Sequence, residues 1–204
     1  MKPVVAALAM LLAAGCVGTN NVPAVQYYVL TDAAPAPRAR QAGVPTRVVL
    51  LEPTSANTFY DTQRIVYSRS EGQRAYYQFA AWTDPPGRAF GELLSRRLGA
   101  PSTTSGIKGD LILQTHIVEI YHDARSTPGR VRIAVSAELV DTSGRGLGER
   151  RRFDGSAQTS SENAPAAVDA ASRATAQILD DIEAWLDGYA LIPHASARLG
   201  AAVL

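Results

Sequence analysis

Apolar residues recur along this chain with a period that changes from extended to helical and back, and each change marks an element. Tyr27-Tyr28-Val29-Leu30 is a short β-prone burst closed by Thr31-Asp32. The stretch Ala33 to Pro45, rich in Ala, Pro and Arg, reads as a surface loop. Val48 to Leu51 is an unbroken apolar run stopped by Pro53, the pattern of a buried central strand. Arg64 to Arg69 and Arg74 to Phe79 flank Ser70-Glu71-Gly72-Gln73 and predict a hairpin. Then the period becomes helical. Phe90, Leu93, Leu94 and Leu98 make one apolar stripe, with Asp84 available as the cap, Pro85-Pro86 in the first turn and Gly99 at the end.

Extended structure returns with Asp110 to His122, dense in Ile, Leu and Val. In the next strand Val131, Ile133, Val135, Ala137 and Leu139 alternate with Arg132, Ser136 and Glu138. Asp141 to Gly144 is a turn, and Arg150 to Gln158 is the last strand. Pro165 to Asp187 predicts a long helix opened near Asn163 and closed by Gly188. Its broad apolar side holds Val168, Ala171, Ile178, Leu179, Ile182, Trp185, Leu186 and Tyr189. Strands in sequence-adjacent sets with two amphipathic helices predict an α+β fold: a largely antiparallel sheet with both helices packed on one face. The tail from 190 to 204 has no periodicity and is expected to fray.

The amino terminus follows a different pattern. Lys2 precedes the uncharged run Val4 to Ala14, which spans only about half of a ~30 Å hydrocarbon core and has the proportions of a signal-peptide h-region. Ala13-Ala14-Gly15 runs into Cys16, the single cysteine. This resembles a bacterial lipobox, which implies cleavage after residue 15 and lipidation of Cys16. Acyl chains at ~0.8 kcal/mol per buried methylene give durable anchoring. Residues 16–26 then form the lipidated cysteine and a polar tether, of which Val17 to Val25 reaches roughly 30 Å when extended. Val17 follows the cysteine where aspartate would imply retention at the inner membrane, so the expected address is the periplasmic face of the outer membrane.

Composition narrows the function classes. The chain is 46% hydrophobic and 19% charged, which suits one globular domain. With residues 1–15 removed, 19 basic and 19 acidic side chains remain, so no overall field draws in nucleic acid. One cysteine excludes an internal disulfide and a cysteine zinc cage. His116 and His122 flank Glu119, but on a regular strand the two histidines share one face some ~20 Å apart and Glu119 points the other way. Exposed or half-buried strand histidines are therefore expected, with no metal and no cofactor. Gly144, Gly146 and Gly148 fall between strands and lack the helix of a nucleotide loop. Arg150-Arg151-Arg152 reads as a solvated strand edge that guards against unwanted pairing. No nucleophile elbow and no Ser/His/Asp set stands out, so no catalytic residue is assigned.

Taken in order, several segments resemble the PqiC-like family of ABC-type transport auxiliary lipoproteins. They are the lipobox at Cys16, Tyr27 to Leu30, Arg47 to Pro53, Phe59-Tyr60-Asp61-Thr62-Gln63-Arg64-Ile65-Val66-Tyr67, and Tyr77 to Pro86 opening the first helix. The resemblance covers roughly residues 27–189. It implies a non-catalytic component of an intermembrane lipid-transport system, in which an MCE-domain protein of an ABC transporter forms a conduit that the lipoprotein receives or braces. On that reading Tyr60, Arg64, Tyr67 and Trp82 are the candidate partner surface. Tyr67 and Trp82 have a plainer reading as cement for hairpin and helix. A homo-oligomer is compatible with a conduit along an axis. The competing expectation is a self-sufficient lipid carrier with its own apolar cavity, and a third is a lipidated hydrolase.

Overall fold

The computed structural model describes residues 23–33, 48–148 and 150–190. Cys16 and its lipobox, nearly all of the Ala33–Pro45 loop and the stretch 191–204 lie outside the described residues. In chain order the elements are β1 (Gln26–Tyr28), β2 (Val49–Leu51), β3 (Ser55–Ala56), β4 (Arg64–Ser68), β5 (Ala75–Trp82), α1 (Pro86–Leu98), a 3₁₀ turn (Thr103–Ser105), β6 (Leu111–Asp123), β7 (Arg130–Asp141), β8 (Arg151–Gln158) and α2 (Ala164–Ala190).

One mixed sheet runs β1-β5-β4-β6-β7-β8. The antiparallel pairs are β4 with β5, β6 with β7, and β7 with β8. One edge of β6 is occupied along its whole length by β7. The other receives β2, β3 and β4 in succession, all parallel: Val49 beside Leu111, Ser55 beside His116, Tyr67 beside His122. Thus β6 is the spine, and its thirteen residues carry enough β-branched and long apolar side chains to be paired on both sides.

Both helices cover one face. Phe90, Leu93, Leu94 and Leu98 of α1 and Val168, Ala171, Ile178, Leu179 and Ile182 of α2 join Leu113, Ile117, Ile120, Val131, Ile133 and Val135 in a single core. Helix α2 presses so closely on β8 that a Cβ on Gly155 would stand 2.4 Å from the Ala174 carbonyl oxygen, so only glycine fits there. Arg97 of α1 is the buried charge between the helices. Its guanidinium bonds Asp32 at 2.7 Å and Asp180 at 2.5 Å, with Glu183 at 3.8 Å. This ties the strand-β1 segment to both helices, and Thr31 adds a hydroxyl bond of 3.1 Å to Ser172.

Two helix boundaries differ from the expected ones. The N-cap of α1 is Pro85, with no side-chain capping bond; Asp84 instead pairs with Arg88 at 3.5 Å. The Pro-Pro pair starts the helix one step later than Asp84 would, because proline presets φ and has no N–H to be capped. Gly99 closes α1 as expected, at φ 58°. At the other end of the chain, α2 runs through Gly188 to Ala190, so that glycine is no stop signal. Its start is as expected: the Asn163 side chain accepts from the Ala166 N–H at 3.0 Å.

The larger correction concerns β6. Ile117 faces Val135 and Glu119 faces Ala134, so Val118 is an extra residue, a β-bulge. Beyond it the alternation shifts by one. His122, opposite Val131, lies on the helix-covered face and is 1% exposed. His116, opposite Ser136, lies on the open face together with Glu119. The two histidines therefore do not share a face, Glu119 does not oppose His116, and His122 is fully buried. No group of three metal-ligating side chains occurs among the described residues.

Candidate interaction surface

The open face of the sheet carries rings and guanidinium groups in contact. Strand alternation places Arg74 and Tyr76 two residues apart on that face, and the register sets Tyr76 opposite Val66. The Arg64 guanidinium lies 3.9 Å from the Tyr76 ring centre, and that of Arg74 lies 3.7 Å from the Tyr121 ring centre. From the loop after β3, Phe59 stacks on Tyr76 at 4.8 Å and 18° and meets Tyr60 edge-on at 5.6 Å. The loop is held from below: Asn57 C=O accepts from the Tyr60 N–H at 2.7 Å, and the Tyr76 hydroxyl donates to the Phe59 carbonyl at 3.2 Å. Phe59 remains 41% exposed. Glu119 links the strip to the sheet's far edge, 3.9 Å from Arg74 and 3.5 Å from Arg152.

Of the four residues expected to form a partner surface, Arg64 lies in this strip and Tyr60 borders it while also touching the core. Trp82 is 4% exposed and belongs to the core, so it is removed from any surface. Tyr67 lies on the helix-covered side, opposite His122 in register and 4.9 Å from Tyr77. Phe59, Arg74, Tyr76 and Tyr121 were not singled out in the sequence. The spacing of Arg74 and Tyr76 was the available signal for those two; Phe59 opens the Phe59–Tyr67 segment of the family resemblance, but its place in a loop gives no period that assigns it to a face.

Two histidine arrangements define what chemistry the structure holds. On the open face Asn57 donates its Nδ2–H to the Val118 carbonyl at 2.7 Å, which turns Asn57 Oδ1 toward His116 Nε2 at 2.9 Å. An amide oxygen only accepts, so His116 carries its proton on Nε2, and Nδ1 accepts from the Ser55 hydroxyl at 2.8 Å. The Ser55–His116–Asn57 relay works as a clamp that holds the two-residue strand β3 against β6. The clamp borders an open polar groove of about 350 Å³ lined by Glu52, Gln114, Ser136, Glu138 and Arg150 among others.

On the covered face His122 Nδ1 is 2.7 Å from the Tyr77 hydroxyl, and Nε2 has no hydrogen-bond partner among the described residues. Burial lowers the His122 pKa below its usual 6.5, against weaker opposing pulls from Glu162 and Asp123 and a smaller lowering by Arg69. Burial likewise pushes the Tyr77 phenol up to about 12. Next to them Asp123 accepts from Arg125 Nε and Nη2 at 2.7 Å each and from Arg132 at 3.1 Å. The Arg125 hydrogen bonds hold this carboxyl well below the usual carboxylate range, against its desolvation. In the core around His122, the enclosed space bounded by Ile65, Trp82, Ile120, Val131 and Ala171 amounts to about 10 Å³.

Comparison with known proteins places this architecture. A Xanthomonas campestris protein of the DUF330 family superposes with a TM-score of 0.70 at 19% identity, over 79% of this chain and 94% of that one. An uncharacterized protein superposes at 0.62 and 15% identity, over 80% of this chain and 99% of that one. At these identities the likeness is one of fold. No curated protein matches the sequence. The family model for the ABC-type transport auxiliary lipoprotein component matches residues 28–183, from the end of β1 to the last turns of α2. That span covers the whole sheet behind β1, all of α1 and most of α2, and the chain belongs to the family of ABC-type transport auxiliary lipoprotein components.

Proposed function

We propose that the protein is a lipid-anchored, non-catalytic adaptor of an ABC/MCE-type intermembrane lipid transport system. Cys16 holds it at the periplasmic face of the outer membrane, and its folded domain docks or braces the conduit built by an MCE-domain protein. Family membership supports an auxiliary role in ABC transport. The observation that carries the adaptor over the carrier is how space is distributed. A carrier needs an apolar cavity of several hundred cubic ångströms; among the described residues the apolar space beside His122 holds about 10 Å³, and the grooves at β3 and at β8 are open and lined mainly by charged and polar groups. By contrast, ring and guanidinium groups of the kind enriched at protein interfaces lie on the open face, with Phe59 and Arg64 exposed at its end.

The test is affinity purification from membranes with the anchor intact. Co-isolation of an MCE-domain protein is the expected result. Stoichiometric lipid without any protein partner would overturn the adaptor in favour of the carrier. In the same preparation Cys16→Ser is expected to release the protein from the membrane fraction with its thermal unfolding unchanged, because residue 16 precedes the folded domain by the length of the tether.

A further inference from the structure

Strand β8 forms one edge of the sheet, and its two halves are finished differently. In an antiparallel pair, alternate residues turn both backbone polar groups toward the neighbour or away from it. The Ser156 N–H donates to Gln177 Oε1 at 3.1 Å, and the Gln158 carbonyl accepts from Arg173 Nη2 at 2.6 Å. These two residues therefore face away from β7, and by alternation so do Arg152 and Asp154. Side chains of α2 cap the edge at Ser156 and Gln158. At Arg152 and Asp154 there is instead an open cleft of about 340 Å³ between the strand and Asp181, Ala184 and Trp185 of α2.

Charged side chains on an edge ordinarily discourage strand addition. That protection depends on which charge meets which. Arg152 and Asp154 lie on the same face of β8, two residues apart, and their side chains bond each other at 2.9 Å. A second copy of this strand, laid antiparallel with Phe153 opposite Phe153, brings Arg152 opposite Asp154 and Asp154 opposite Arg152. Every cross-strand charge pair is then attractive. The paired residues are also the outward-facing ones, so each pair exchanges both of its backbone hydrogen bonds. No other centre within the uncapped stretch gives this match: centring on Arg152 or Asp154 places like charges face to face.

We propose that the uncapped part of β8 is a self-complementary docking edge for a second copy of this chain, joined about a two-fold axis through Phe153. The Gln177 and Arg173 caps stop the pairing from extending toward Gln158 and so fix its register. A contact this short gives a weak dimer in solution, and tethering copies to one membrane would raise their effective concentration. The open-face aromatic strip meets this edge only through Glu119, 3.9 Å from Arg74 and 3.5 Å from Arg152, and the inference makes no use of the MCE reading.

Sedimentation velocity of the full chain in detergent, over a concentration series, tests it. The wild type is expected to show a reversible monomer–dimer equilibrium. Arg152→Asp and Asp154→Arg each turn both cross-strand pairs repulsive and are expected to weaken dimerisation at least about tenfold, with unchanged circular dichroism. Mixing the two single variants restores complementary charge, and so does the chain carrying both substitutions; each is expected to return dimerisation to the wild-type range. A wild type monomeric throughout, an association indifferent to the single reversals, or a failure of both the mixture and the double reversal to rescue would overturn the proposal. Should a single reversal unfold the chain, the double reversal alone decides, since it conserves the charge pair within the strand.

Discussion

The two faces of the sheet use aromatic side chains in opposite ways. On the covered face Trp82, Phe90 and Phe153 disappear into hydrocarbon, and the phenol of Tyr77 is satisfied by a buried histidine. On the open face the Tyr76 and Tyr121 rings each carry a guanidinium, and Phe59 is stacked yet still wet. A ring in the core contributes mainly through area removed from water and through tight packing. Tyr121 beneath Arg74 is itself 7% exposed and packs as a core ring does, whereas Phe59, 41% exposed, and the Arg64 guanidinium over Tyr76 present a preorganised surface of mixed polar and apolar character. The same residue types thus divide into those that hold the domain together and those that are available to a partner, and substitution separates them.

The largest effect is expected at Trp82. Trp82→Ala removes a 4% exposed side chain from the centre of the core and should destabilise by about 3–5 kcal/mol. Urea denaturation measures this directly, and an unchanged midpoint would put Trp82 back on the surface. Next comes Arg97→Met. The substitution keeps much of the volume but leaves Asp32 and Glu183, both largely buried, without their guanidinium. Breaking a buried ion pair costs more than the pair contributes. Because Asp180 is half exposed and can turn to water, the loss should be about 2–3 kcal/mol by the same measurement.

A smaller effect, set by pH, separates the covered face from the open one. His122 has a folded pKa below 6.5, so between the folded value and 6.5 the unfolded chain binds a proton that the folded chain refuses. The stability that depends on neutral His122 is complete above pH 6.5 and is lost as pH falls through that window. Asp123 acts in the same direction lower down, its contribution present above 3.8 and lost below it. His122→Gln is expected to flatten the dependence of the urea midpoint between pH 5 and 7 while leaving the fall below pH 4 in place. A slope that survives in His122→Gln would assign that window to another group.

Local periodicity made much of this legible in the chain. The Phe90–Leu98 stripe and the alternation of Val131 to Leu139 place α1 and β7 and turn the correct face of each toward the core. Asn163 caps α2 as its residue type suggests. What escaped depends on events that leave no period. One extra residue, Val118, reverses the facing of everything after it in β6, so His122 looks like a partner of His116 until the register with β7 is known. Arg97 sits at a polar position of α1, and its partners Asp32 and Asp180 are 65 and 83 residues away in sequence. Likewise Trp82 and Arg64 belong to neighbouring strands, yet an irregularity between Arg64 and Val66 shifts the register and leaves one buried and the other in water. Family resemblance put both on one surface; only tertiary pairing separates them.

The smallest effect on stability is expected where the effect on binding is greatest. Phe59 contributes a stacked contact with Tyr76 and an edge contact with Tyr60, all at the margin of the sheet. Aromatic pairs of this kind are worth about 0.5–1.5 kcal/mol, and exposure puts Phe59 at the lower end. Phe59→Ala should therefore shift the urea midpoint by the equivalent of about 1 kcal/mol or less. If the strip is the docking surface, the same substitution removes its exposed ring and should cut co-purified MCE-domain protein at least about tenfold, the scale of an interface anchor. Arg64→Ala, which strips the cation from Tyr76, should fall between wild type and Phe59→Ala in capture. Full capture by both variants, with folding intact, would show that the partner reads a different part of the molecule, and the open face would then have to be explained by its own packing alone.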